Sequence, residues 1–242
     1  GSKAANGVVI ITTKRGRQDM KPQFNFNYYV GVTTPIKEKV LNAAQYKSAL
    51  REAATNFLSS REASGRPMTG SQVEQANKIL NDPSFFGNAD TDWVGLVLRN
   101  GITQNVDVSV SGGGKNSKYY TSLSYTGQEG TLIGTDFKRI SGKISLDNDI
   151  AKWFRLYANL NYGYTKNNLT NGIYGQALTA PPVFAPFNED GSYAALGDLS
   201  SDYRGYQNPL AVAQGTNLAK DYLLKGSLAA EITFLRDFKF KS

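Results

Sequence analysis

The chain has no cysteine and no histidine in its 242 residues. Without thiols there is no disulfide framework and no thiolate metal site, and without imidazole the commonest metal ligand and general base is missing. Most metal-dependent and triad chemistries are thereby excluded. Long apolar runs are lacking too: nothing approaches the roughly 18 consecutive apolar residues of a transmembrane helix, and the first residues carry no secretory-signal pattern. Charge is unbalanced but not clustered. The 27 Lys and Arg exceed 20 Asp and Glu to give a net charge of +7, yet apart from Lys14-Arg15-Gly16-Arg17 and Lys21 the cations are scattered. Scatter argues against a nucleic-acid partner and reads as solvated charge, which beside a membrane could meet anionic headgroups.

Alternation is what the chain has in abundance. Residues 23–31 put Phe24, Phe26, Tyr28 and Val30 on one side and Asn25, Asn27 and Tyr29 on the other, the period of a strand with one polar face. The same period predicts strands over 102–111 (Val106, Val108, Val110), 117–128 (Tyr119, Leu123, Tyr125), 137–148 (Ile140, Ile144, Leu146), 154–166 (Phe154, Leu156, Ala158, Leu160, Tyr162, Tyr164) and 223–234 (Leu224, Leu228, Ala230, Ile232, Phe234). Phe238-Lys239-Phe240-Lys241 reads as the start of a seventh. A mean hydropathy of −0.39 is compatible with membrane strands, because these are apolar on one face only.

Strand length and connections favour a barrel. Crossing the hydrocarbon at a tilt takes about 9–11 residues, whereas soluble strands average about 5–6. Trp153 and Phe154 at one end of a strand, with Tyr162 and Tyr164 at the other, fit interfacial girdles, although aromatics favour strands in general. The expected links alternate long (32–101), short (112–116), medium (129–136), short (149–153), long (167–222) and short (235–237), as outer-membrane barrels alternate external loops with periplasmic turns. Within the first long link, Asn42 and Gln45 form a capping box and Tyr46, Ala49, Leu50, Ala53 and Phe57 share one helical face. A second helix is predicted to start at Ser71, with Glu74 at its third position, and to run through Val73, Ala76, Ile79 and Leu80 before stopping ahead of Pro83.

The second long link carries turn signals and six aromatics, Tyr174, Phe184, Phe187, Tyr193, Tyr203 and Tyr206, which are the candidates for contact with a substrate or partner. Other motifs carry little chemistry. Gly112-Gly113-Gly114-Lys115 lacks phosphate-loop spacing and reads as a hairpin turn. Asn188-Glu189-Asp190-Gly191-Ser192 lacks the remaining ligands of a calcium loop. The pairs Asp90/Asp92 and Asp147/Asp149 read as turn and cap residues rather than acid/base catalysts.

Gly1-Ser2-Lys3-Ala4-Ala5-Asn6-Gly7-Val8-Val9-Ile10-Ile11-Thr12-Thr13-Lys14 resembles the end of the plug domain in SusC/RagA-type TonB-dependent transporters. The likeness continues through Asn42-Ala43-Ala44-Gln45-Tyr46, Thr91-Asp92-Trp93, Gly101-Ile102-Thr103-Gln104-Asn105, Tyr119-Tyr120 and Asn188-Glu189-Asp190-Gly191-Ser192-Tyr193. The resemblance implies an all-β fold, part of a large antiparallel transmembrane β-barrel of about 22 strands closed by an internal plug. Residues 1–20 would be the C-terminal end of the plug, and 21–242 the N-terminal part of the barrel, six strands plus the start of a seventh. It further implies import of an oligosaccharide or peptide through the outer membrane of a Gram-negative bacterium, with a SusD-like surface lipoprotein over the mouth and TonB acting from the periplasm. It implies no enzyme activity and no cofactor. Lipid would then meet Phe24, Phe26, Tyr28, Leu123, Ile144, Leu156, Leu160 and Tyr162. An open sheet of six or seven strands would leave about five unpaired groups on each edge, at several kcal/mol apiece in lipid, so the strands require further strands beside them. Two other readings stay open at this level: a soluble β-rich glycan-binding module whose apolar faces form a sandwich core, and a surface adhesin or secretion-system barrel.

Overall fold

A computed structural model describes residues 14–169, 172–196, 205–235 and 238–242. Its seven strands are β1 (Met20–Thr33), β2 (Gly101–Gly113), β3 (Ser117–Glu129), β4 (Asp136–Ala151), β5 (Phe154–Asn168), β6 (Leu218–Phe234) and β7 (Phe238–Lys241). They form one sheet in sequence order, every neighbour antiparallel. The long links are 34–100 and 169–217, and at the other end β2 joins β3 through 114–116 and β4 joins β5 through 152–153. The strands run further than the apolar alternation predicts. β6 begins at Leu218 rather than 223, because Lys220 and Ala219 continue the pairing with Lys166 and Asn167 after the apolar pattern has stopped.

Directly opposed residues of an antiparallel sheet point to the same face, so the register defines the two surfaces. Tyr28, Val106, Tyr125, Ile140, Tyr164 and Tyr222 form one continuous cross-strand row, and Phe26, Val108, Leu123, Gly142, Tyr162 and Leu224 the next. This apolar face is bare: among the described residues no second layer covers it, and its side chains dominate the exposed large hydrophobics. The protein exposes 16530 Å², against about 10,600 Å² for a compact monomer of this mass. A sandwich core is therefore contradicted.

The core lies in the links instead. The first holds α1 (Ala43–Ala63), α2 (Ser71–Asn81), a 3₁₀ turn (Pro83–Phe85) and α3 (Trp93–Val97); the second holds α4 (Ile173–Thr179) and α5 (Pro209–Ala213). Phe85, Phe86, Trp93, Val94 and Val97 from the first pack with Ile173, Ala177, Val183, Phe184, Leu196 and Leu210 from the second in a single buried cluster. The capping box of α1 forms as expected, with the Gln45 N–H donating to Asn42 Oδ1 at 2.9 Å and the Asn42 N–H to Gln45 Oε1 at 3.1 Å. Its packed face differs: Ala43, Tyr46, Leu50 and Ala54 turn inward, while Ala49 and Ala53 are exposed. An alanine matches either side of a helix, and the tertiary partners decide. α2 starts at Ser71 as expected, with Gly70 as its cap; the Gly70 φ of 101° suits glycine and is costly for other residues.

Candidate functional site

The polar face is built from short polar side chains that bond to one another across strands. Ser145 Oγ donates to Asn159 Oδ1 at 2.8 Å, Asn159 Nδ2 to Ser227 Oγ at 3.3 Å, and Tyr157 Oη to Glu231 Oε2 at 3.3 Å. Arg155 is held against Asp149. The chain preceding β1 lies on this face. Arg15 Nη1 donates to both carboxylate oxygens of Asp147, at 2.9 and 3.1 Å, and Lys143 Nζ donates to the Lys14 carbonyl at 3.2 Å. Gly16 passes so close to the sheet backbone that an added Cβ would come within 2.4 Å of the Tyr119 carbonyl oxygen. The described segment from Lys14 to Gly16 is thus held against the polar side of the sheet.

On the apolar face the aromatics fall into two bands. Near the short turns, Trp153 and Phe154 have ring centres 5.7 Å apart and Phe234 stacks on Phe238 at 5.7 Å. Towards the long links, Tyr164 and Tyr222 sit 4.9 Å apart, in one row with Tyr28 and Tyr125. From Phe154 to Tyr164 along β5, at about 3.3 Å per residue and a tilt near 40°, the vertical distance is about 25 Å, the height of the apolar band of an outer-membrane barrel. Phe24, Phe26, Tyr28, Leu123, Ile144, Leu156, Leu160 and Tyr162 all share this face, and all but half-buried Leu156 are exposed.

The link aromatics separate into two classes. Phe184 is 8% exposed and belongs to the buried cluster, with its carbonyl accepting from Thr91 Oγ1 at 2.6 Å; this is a correction, because a ring already packed against Phe85 and Phe86's cluster has no face to offer a ligand. Tyr174 is half-buried against the same cluster. Phe187, 45% exposed, and Tyr193 face each other at 5.3 Å on a hairpin closed by the Asn188 N–H bond to the Ser192 carbonyl and by Asp190 Oδ1 accepting from the Ser192 N–H. Asp190 Oδ1 is thus engaged in the turn rather than free for a calcium ion. Tyr206 is exposed and lies near Tyr46, whose phenol is pushed up to about 12 by burial and by Tyr206. Tyr203 lies outside the described residues.

The acidic pairs have structural partners. Asp90 Oδ1 accepts from the Ala43 N–H at 2.7 Å and Asp92 Oδ1 from the Gly95 N–H at 2.9 Å, capping α3, while Asp147 and Asp149 hold Arg15 and Arg155. Among the described residues no cluster of carboxylates could hold a metal ion, and no helix is long and apolar enough to cross a membrane.

No protein-family model matches the chain. The TonB-dependent receptor P26 of Formosa agariphila is 31% identical over 223 residues, which is 90% of this chain and 20% of the relative. The TonB-dependent receptor SusC of Bacteroides thetaiotaomicron is 27% identical over 219 residues, 86% of this chain and 19% of that protein. The chain is a SusC/RagA-like stretch of TonB-dependent receptor. Its fold matches a chain of the RagAB peptide importer, with a TM-score of 0.69 and 20% identity over 100% of this chain and 29% of that one in the 'open-open' state, and the same score over 98% in the 'closed-closed' state.

This SusC/RagA-like stretch spans about a fifth of the length of the curated receptors it matches. Of the plug strand expected over residues 1–14, all but Lys14 lie outside the described residues. Arg15 and its partners Asp147 and Tyr157, whose ring centre is 5.8 Å from the guanidinium, were not legible as a unit: they are brought together by register, and the only sequence signal was the Lys14-Arg15 pair just before the first strand.

Proposed function

We propose that this chain forms the plug exit and the first strands of an outer-membrane importer of oligosaccharides or peptides. A SusD-like lipoprotein covers its mouth, and TonB acts on the plug from the periplasm. The observation that carries this reading is the two-faced sheet: one side bare and apolar with two aromatic bands about 25 Å apart, the other polar and occupied by the segment entering β1. On this reading the apolar side meets outer-membrane lipid, the polar side lines the lumen, and the two long links stand outside the cell. Tyr174, Phe187, Tyr193, Tyr203 and Tyr206 are the residues through which the links meet cargo or the lid lipoprotein, aromatic faces stacking on sugar rings or peptide.

The lipid assignment is tested by Leu160→Arg against Asn161→Arg, adjacent residues on opposite faces. Arginine at mid-depth on the lipid face should cost about 2–4 kcal/mol and deplete the assembled, outer-membrane form, whereas Asn161→Arg should assemble. Normal assembly of Leu160→Arg would reject the assignment. For transport, a strain lacking the receptor should stop accumulating an oligosaccharide or peptide that the parent takes up, and unchanged accumulation of all such solutes would sink the importer reading.

A further inference from the structure

One row of the apolar face does not fit a purely hydrocarbon surface. Immediately beyond the tyrosine row, towards the long links, Lys138 is directly opposite Lys166, and Lys166 directly opposite Lys220. All three lie two residues from apolar-face positions, Ile140, Tyr164 and Tyr222, and so share that face. Cβ atoms of directly opposed residues are about 4.5–5.5 Å apart, and like charges so placed repel. Lys138 and Lys220 are exposed, Lys166 is half-buried between them, and among the described residues the ion pairs involve none of the three. The carboxylates of that face, Glu129 and Asp136, stand one row further towards the links. Arg99 beside them is committed to the Gly130 and Thr135 carbonyls, at 3.1 Å each. At the opposite rim the face presents Phe154, Phe234 and Phe238, and among the described residues there is no corresponding lysine row.

We infer that Lys138, Lys166 and Lys220 form a docking site for the phosphate groups of an outer-leaflet lipid headgroup, with the rings of Tyr164 and Tyr222 beneath it at the headgroup boundary. Three ammonium groups in line present a polyanion with more donors than one phosphate oxygen can use. Their position at the edge of the apolar band puts them at headgroup depth, where desolvation is partial and the attraction strong. A bound phosphate also removes the cross-strand repulsion, so the lipid would stabilise the pairing of β4, β5 and β6. This inference rests on the lipid-facing reading of the apolar side.

The test uses the purified receptor carrying this chain, in uncharged detergent, titrated with phosphorylated lipid A, with dephosphorylated lipid A and with inorganic phosphate. Phosphorylated lipid A should raise the melting temperature, the dephosphorylated form should not, and the shift should shrink at high salt. Replacing all three lysines by glutamine should abolish the shift and replacing them by arginine should preserve it. Lys225→Gln, on the polar face, should leave it intact. If the triple glutamine variant does not assemble, Lys166→Gln alone should weaken the lipid severalfold. An undiminished shift in the glutamine variants overturns the site, and an equal shift with inorganic phosphate overturns the lipid as its occupant. The two readings fail separately: a receptor that stays in solution without detergent sinks the barrel, whereas an inserted receptor indifferent to lipid phosphate sinks only the lysine site.

Discussion

Arg15 and Asp147 form a two-oxygen ion pair across 132 residues of chain, at 2.9 and 3.1 Å, and the carboxylate is only 6% exposed. The pair joins the segment that leads into β1 to the middle of the sheet's polar face, with Tyr157 beneath the guanidinium. Removing the cation would leave a buried carboxylate without its partner, which is costlier than the net worth of the pair.

Arg15→Met should therefore release residues 14–19 from the sheet. At about 2 kcal/mol for the orphaned carboxylate, amide exchange there should quicken about thirtyfold, with β4 and β5 little changed. Unaltered exchange at Asp19, whose N–H is bonded to the Gly114 carbonyl at 3.2 Å, would show that the ion pair does not hold the segment.

The two tryptophans report on different environments. Trp93 is 1% exposed, its Nε1 donating to the Pro181 carbonyl at 2.9 Å, while Trp153 is 59% exposed beside the short-turn aromatic band. In vesicles containing brominated lipid, Trp153→Phe should remove a quenchable part of the fluorescence and Trp93→Phe should not. The reverse pattern would place the bare face away from lipid.

Phe184 and Phe187 should behave oppositely on truncation. Phe184→Ala opens a cavity in the link cluster and should cost about 3–5 kcal/mol, seen as early melting of the links. Phe187→Ala should change stability by no more than about 0.5 kcal/mol, while weakening binding of the oligosaccharide or peptide cargo proposed above by up to about tenfold through loss of an aromatic contact. Full affinity in Phe187→Ala and Tyr193→Ala would remove that hairpin from the ligand surface.

Asp92 sets an acid limit on α3. Burial by itself would raise its pKa, but the hydrogen bonds from Lys37 and the Gly95 N–H outweigh that and lower it. A carboxyl whose folded pKa lies below its unfolded value of about 3.9 stabilises at neutral pH and loses that contribution as pH falls through the folded value. Exchange of the α3 amides should accordingly rise below about pH 4. Asp92→Asn keeps a capping oxygen and should flatten this dependence; a persistent acid step in that variant would assign it to another group.

The strands and the α1 capping box were legible because each depends on local signals, period two in one case and a four-residue hydrogen-bond pattern in the other. Strand ends were less so: Asp136 and Asn168 pair with no apolar alternation to announce them. The largest departure concerns Phe184. An aromatic in a polar, turn-rich link looks the same in sequence whether it awaits a ligand or is packed under Trp93, and only the meeting of two links 70 residues and more apart distinguishes them. The lysine row was equally silent, since Lys138, Lys166 and Lys220 each sit in unremarkable polar surroundings until the register aligns them.

The cluster uniting Trp93 with Val183 and Phe184 is drawn from segments that flank β2, β3, β4 and β5 in the chain. The complete cluster needs both halves, and the pairing of those four strands is what brings their ends together. A one-residue slip in a hairpin among β2 to β5 would invert the faces of a strand and carry the links out of step. The cap thus ties the two ends of a four-strand stretch together, so its packing and the register of the wall beneath it depend on each other.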